Sequence, residues 1–212
     1  MKNNIIKHTN CIRRALKELS YQYRDKKLFL DVGCGVGTRT IIFDEFNRQI
    51  CGVDRMDWRD KGIAGKIAFK ELDFMRSDLP FESNLFDIAF SFDVIEHLCQ
   101  PQKMLDEIHR VIKVGGIFII GTPNRYRMLG LILQLLGLRK FPYYPNDATV
   151  NSDPYAAHVR EFTATELKKL LNQHGFKIRK THKLFYGLTG GYGLHKFFNL
   201  PLYHNMLIEC QK

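Results

Sequence analysis

Four runs of this chain are apolar almost without a break: KKLFLDV (26–32), QICGVD (49–54), FDIAFSF (86–92) and IFIIGT (117–122). Strands of that kind need cover on both faces, because neither face alternates to polar residues that water could meet. The segments between them have other spacings. After Pro101, QKMLDEIHRVIKV repeats apolar residues at Met104, Leu105, Ile108, Val111 and Ile112, the rhythm of a helix that Gly115 and Gly116 would end. A helix is expected from Thr38 to about Asn47, another strand in KIAFKELD (66–73), and an amphipathic leading helix within residues 1–25, carried by Ile5, Ile12, Leu16 and Leu19. Strands alternating with helices predict an α/β fold, a mostly parallel sheet with helices on both faces. The links between the second, third and fourth strands are too short or irregular for full helices.

After Pro123 the pattern changes. Residues 125–160 read as an insertion, or lid, between the fifth strand and the next helix. TATELKKLLNQHGF (163–176) is that helix, with Thr163 at its cap, Leu167, Leu170 and Leu171 on one face and Gly175 at its end. Two closing strands, FKIRKTHKLFY and NMLIECQK, flank a glycine-rich loop. At 212 residues, 1–212 is expected to be a single domain.

The first strand stops at Asp31 and is followed by Gly33, Gly35 and Gly37. A glycine-rich turn between a first strand and a first helix is where a ligand meets backbone. The dinucleotide fingerprint needs G-x-G-x-x-G, but its third position falls on Thr38, which counts against a hydride-transferring dehydrogenase. Asp54 ends the second strand, 21 residues beyond Gly33, where a carboxylate can accept from both ribose hydroxyls. Asp73 ends the third, beside Phe74, where it can accept from an exocyclic amine. One acid at a strand end is usually a cap or a solvated charge; three at successive strand ends suggest a nucleoside.

Together, DVGCGVGT, GVDR, ELDF, FDIAFSFDVIEHL and EIHRVIKVGGIFIIGTPN resemble the class I S-adenosylmethionine-dependent methyltransferases. The likeness is to the small-molecule group that includes the ubiquinone and menaquinone biosynthesis enzymes. It covers residues 26–124 and resumes more loosely through HVREFTATELKKLLNQHGF. The resemblance implies a Rossmann-like seven-stranded sheet whose last strand is antiparallel, and S-adenosyl-L-methionine as cofactor. It implies that the loop of Gly33, Cys34, Gly35 and Gly37 lets the methionine end lie against backbone, with Asp31 holding its ammonium. Asp54 would take the ribose, Arg55 and Met56 would flank the adenine, Asp73 and Phe74 would read its edge, and Ser91 and Phe92 would close over the methionine.

Methyl transfer from a sulfonium leaves the protein to align the nucleophile and, for a hydroxyl acceptor, to remove a proton. Histidine suits that task near neutrality. His97, in DVIEHL, matches a histidine of the resembled family. His158, in AAHVREFT, follows the insertion and is the better candidate for the general base, with Glu96 and Arg160 as lesser polar candidates. For both histidines a plain hydrogen-bonding role in the scaffold competes. The (D/N/S)-P-P-(Y/F) run that marks amino methylation of nucleic-acid bases is absent, SFDV standing in its place, so a nucleic-acid partner is not expected. Small-molecule or lipid-linked acceptors remain, with oxygen as the expected site. A catalytically silent cofactor-binding regulator and an RNA- or protein-directed methyltransferase are the alternatives, the latter supported only by a net charge of +10.

In MLGLILQLLGL (128–138), eight of eleven residues are Met, Leu or Ile, bracketed by Arg125, Arg127, Arg139 and Lys140. As a helix it would be about 16 Å long, too short to cross a bilayer. It could be a lid over the pocket, a dimer contact or a peripheral membrane anchor near anionic lipid. The protein is therefore expected as a monomer or homodimer. Five well-separated cysteines without a CxxC pair predict neither a disulfide framework nor a zinc site, and no metal is expected. MKNNIIKHTN lacks the apolar core of a signal peptide, so the expected location is the cytoplasm, with membrane association possible through 128–138.

Overall fold

The computed structural model describes residues 2–73, 76–127, 132, 135–137, 158–184 and 203–212. The strands are β1 (Leu28–Val32), β2 (Gln49–Asp54), β3 (Ala68–Glu71), β4 (Phe86–Phe92), β5 (Ile112–Pro123), β6 (Lys177–Leu184) and β7 (Asn205–Gln211). They form one seven-stranded sheet in the order β3-β2-β1-β4-β5-β7-β6. The first five strands pair parallel, and β7 lies antiparallel between β5 and β6. The strand order reverses at β1, which has β2 on one side and β4 on the other. A crevice opens at the carboxyl ends of strands at such a reversal, and the glycine-rich turn lies there.

Side-chain alternation sends each strand's apolar residues to both faces. Leu30, Val32, Ala89, Phe118 and Ile120 pack under α2 (Pro101–Val111) and α3 (Ala164–Gln173), whose Leu105, Ile108, Leu167 and Leu171 are fully buried. Phe29, Ile88, Phe90, Ile117 and Ile119 pack on the opposite face under α1 (Lys2–Gln22), through Ile12, Leu16, Leu19 and Tyr23. Phe43 stacks on Phe90 at 4.7 Å between ring centroids, and Phe90 on Phe92 at 5.5 Å. Arg48 is buried beneath the end of α1, where it donates to the carbonyl of Ser20 in the last turn and to that of Tyr23 just past the helix.

Several element boundaries differ from the sequence reading. The helix expected over 38–47 is only a 3-10 turn, Thr40–Phe43. Phe43 dives into the aromatic cluster, and Phe46 and Asn47 hold left-handed φ of 65° and 53°, so no helix continues. The helix expected to run to Gly115 ends at Val111, because Ile112 is already extended and pairs with Phe86 of β4. β3 ends at Glu71, which leaves Asp73 two residues beyond the ladder. The cap of α3 is as read: the Thr163 hydroxyl accepts from Glu166 N, and the Glu166 carboxylate accepts from Thr163 N at 2.9 Å.

Most of the 125–160 insertion lies outside the described residues, but its two ends meet. Arg125 N donates to Phe162 O at 3.0 Å, Arg125 Nε to Glu161 O at 2.8 Å, and the Arg125 guanidinium pairs with Glu166 at 2.8 Å. The chain therefore departs and returns at one point beside the carboxyl end of β5. No helix among the described residues is long and apolar enough to cross a membrane.

Candidate active site

A cavity of about 470 Å³ occupies the crevice at the carboxyl ends of β1, β2 and β4. Of the residues expected to bind a cofactor, Asp31, Gly33, Cys34, Gly35, Asp54, Arg55, Asp73 and Phe92 line it. Gly37, Met56 and Ser91 do not, and Phe74 lies outside the described residues. Ser91 is buried, with its hydroxyl donating to Val32 O at 2.8 Å, so it braces β4 against β1. Met56 points into solvent, half exposed. Gly37 (φ +80°) is buried, and a Cβ there would meet Ile63 at 3.0 Å.

The glycines of the turn answer different demands. Gly33 has φ +82°, and a Cβ on it would fall 2.2 Å from Val94 Cγ2, so this glycine makes room for the β4 loop. Gly35 has φ +50° and no atom of the other described residues within 4 Å of the same position. Of the two, only Gly35 has open space where a side chain would stand.

The acids differ as well. Asp31 is 2% exposed and lines the cavity floor. One carboxylate oxygen accepts from the Thr40 hydroxyl, and the other has no partner among the described residues. Burial, reinforced by the nearby Asp54 charge and opposed by the Thr40 bond, pushes the Asp31 pKa up to about 7. Asp54 uses one oxygen to accept from Gly35 N at 2.8 Å and the other to accept from Arg55 N at 2.7 Å. It ties the turn to β2 and keeps a lone pair on each oxygen for a further donor. Asp73 pairs with Arg76 at 3.4 Å.

At the mouth lies a second polar group. His97 lines the cavity from the short turn Ile95–His97, and its ring meets that of His158 edge-on, centroids 4.9 Å apart. His158 reaches it because Glu96 O accepts from both Val159 N (2.8 Å) and Arg160 N (3.1 Å), which clips the returning chain onto the turn. Glu96 itself is fully buried. Its Oε2 accepts from Thr122 Oγ1 at 2.9 Å and its Oε1 has no partner among the described residues. Burial and the Asp93 charge raise its pKa. The hydrogen bond to Glu161 raises that of His158, against burial. Arg160 lies over the Phe162 ring, 4.9 Å from its centroid, and does not line the cavity.

Comparison with known proteins fits this geometry. A family model described as a methyltransferase domain matches residues 7–181. The chain belongs to the class I S-adenosylmethionine-dependent methyltransferases. A probable S-adenosylmethionine-dependent methyltransferase of Mycolicibacterium smegmatis is 28% identical over 163 residues, which are 74% of this chain and 55% of that protein. The demethylmenaquinone methyltransferase of Lactobacillus johnsonii is 29% identical over 165 residues, 70% of this chain and 67% of the relative. This chain thus spans about half the length of the first relative and two thirds of the second. The magnesium protoporphyrin IX methyltransferase of Synechocystis, crystallised with S-adenosylhomocysteine, shares the fold with a TM-score of 0.65 at 15% identity, over 97% of this chain and 85% of its own.

The residues present fit this family's cofactor. A buried carboxylate oxygen without a partner among the described residues suits an ammonium, the open space beside Gly35 suits close approach, and the spare lone pairs of Asp54 suit ribose hydroxyls. The methyltransferase cavity also holds residues that sequence reasoning left without a role. Trp58 lines it where Met56 was expected, and it is the sole tryptophan, four residues past Asp54 in a polar stretch. That isolation was the available signal. Arg39 and Asp93 form an ion pair of 2.5 Å at the cavity. Asp93 takes a left-handed φ of 56°, a strained backbone of the kind that gathers at functional sites.

Proposed function

We propose that this chain transfers a methyl group from S-adenosylmethionine to a hydroxyl of a small or lipid-linked acceptor. The observation that carries the reading is Asp31, a carboxylate buried in the cavity with one oxygen lacking a partner among the described residues. When bound, the cofactor supplies an electrophilic methyl carbon on a sulfonium. The chain's part is to position and to deprotonate. Asp31 holds the ammonium, Gly35 lies along the methionine end, Asp54 holds the ribose, and Trp58, Leu72 and Asp73 form the wall for the adenine. The His97–His158 pair at the mouth receives the acceptor hydroxyl, with His158 as the proposed base.

Residues 128–138 supply the case for a lipid-linked acceptor. Leu135 and Leu136, two of the few described residues there, are 79% and 65% exposed, which suits contact with an apolar surface. Co-sedimentation with anionic vesicles at low salt tests this arm, and absence of binding removes the membrane contact.

Calorimetry with S-adenosylhomocysteine against NAD tests the cofactor. Tight binding of the former and none of the latter is expected, and the reverse would overturn the reading. For the acceptor side, His158→Ala should lower turnover by about a hundredfold or more, with cofactor affinity nearly unchanged. Unchanged turnover would remove His158 as the base.

A further inference from the structure

Glu96, His97 and His158 were expected to meet an acceptor only as hydrogen-bonding or proton-accepting groups, and the cysteine spacing predicted no metal. The folded chain brings these three together from two distant stretches. One donor atom from each lies within 4.8 Å of the other two. We propose that they form a site for a divalent transition-metal ion at the mouth of the cavity, where the ion receives the acceptor's hydroxyl.

Three observations support the site. Glu96 is fully buried, and Thr122 fixes one of its oxygens while the other has no partner among the described residues. A buried carboxylate oxygen left in that state is costly unless a cation satisfies it. His158 engages the buried Glu161 through Nδ1 at 3.2 Å and has a second ring nitrogen for a ligand bond. Glu161 is held in turn by Arg127 at 2.6 Å. A carboxylate behind an imidazole is the usual way a metal-binding histidine is oriented and made more basic. Lastly, His97 lines the cavity, so the site opens toward a bound substrate.

The donor set also indicates the ion. Two imidazoles and one carboxylate suit zinc, iron or cobalt better than the oxygen-seeking magnesium and calcium. Three protein ligands leave at least one position for water or substrate, as catalytic sites do. Ligand bonds of about 2.1 Å place donor atoms roughly 3.4 Å apart, so the widest gap must close by about 1.4 Å, a rotamer adjustment open to two half-buried histidines.

The inference rests on the methyl-transfer reading and changes one step in it. A hydroxyl bound to the ion ionises at lower pH than in solution, its proton passing to water while the O–H electron pair stays on oxygen. That oxygen attacks the methyl carbon, and the C–S pair leaves with sulfur. His158 then serves as a ligand, and the ion replaces it in acidifying the hydroxyl.

Titration of the metal-stripped full chain with cobalt(II) chloride, followed by visible absorption, tests the site. The expected result is one ion per chain with visible bands of low-symmetry coordination, displaced by zinc. Glu96→Gln and His158→Ala should each weaken binding by about tenfold or more. No cobalt bound by the intact protein, or variants that bind cobalt as tightly as the unaltered chain, overturns the proposal. Thermal melts report on fold, and His158→Ala, at a partly exposed position, decides the matter if Glu96→Gln unfolds. S-adenosylhomocysteine binding by the same samples separates the two readings: a chain that binds cobalt but not this ligand overturns methyl transfer and keeps the metal site.

Discussion

Lowering the pH from 8 to 5 should weaken S-adenosylhomocysteine binding about a hundredfold, because of Asp31 alone. In the ligand-free chain this carboxyl is buried and its pKa is raised to about 7. A bound ammonium beside its unpartnered oxygen favours the ionised form and pulls the pKa down. Above pH 7 the carboxylate is ready and binding is at full strength. Below it, binding must first expel a proton, so affinity falls close to tenfold per pH unit, about 2.7 kcal/mol by pH 5. Calorimetry at pH 8, 7, 6 and 5, in two buffers of different ionisation enthalpy, reads both the affinity and the proton released. The ligand-free chain shows the opposite face of the same shift. Its folded-state pKa lies above the unfolded value, so Asp31's contribution to stability is fully present below about pH 4 and is lost as pH rises through 7, about 4 kcal/mol at most. Asp31→Asn should therefore raise the melting temperature at pH 8 while weakening the ligand and flattening the pH slope. Affinity constant within about threefold from pH 8 to 5, or an undiminished slope in Asp31→Asn, would refute the reasoning.

Other substitutions separate binding from scaffold. Gly35→Ala should cost roughly 1 kcal/mol in stability, from its left-handed φ, yet weaken S-adenosylhomocysteine about tenfold, because its Cβ enters open cavity. Gly33→Ala should lower the denaturation midpoint by several kcal/mol equivalent, on the order of 3, since Val94 fills the space a Cβ requires. If the two behave alike in melts and titrations, the distinction between them is wrong. Ser91→Ala should leave ligand affinity within about twofold and cost about 1 kcal/mol in urea unfolding, for the lost bond to Val32 O. Thr163→Ala should cost a similar amount by breaking the cap of α3, read by the same unfolding measurement, without moving cofactor affinity.

The sheet was legible because its signal is redundant. A core strand such as FDIAFSF, apolar at five of its seven positions, repeats one signal several times over, so no single residue could reverse it. Boundaries rested on single residues and were less secure. Ile112 has a helical position by spacing, but a place in the β4 ladder outweighs it. Asp31 and Asp54 were legible as a pair at strand ends. Their division of labour was not, since only coordinates show that Asp54 holds backbone amides while Asp31 keeps an oxygen unclaimed. Val94 could not be foreseen at all, because its role is to fill the space over a glycine sixty residues away in the chain. The meeting of Glu96 with His158 depends on two amides donating to one carbonyl, and spacing carries no trace of that.

The two oxygens of Asp54 are already occupied by the amides of Gly35 and Arg55. In a lineage that gave up methyl transfer, selection for a stable loop would go on preserving this aspartate. Asp31 would fare differently, because its ionised form strains the empty fold and drift toward asparagine would be rewarded. On the proposed role of Asp31, the acid on β2 would record ancestry among descendants of such a chain, and the acid on β1 continued use.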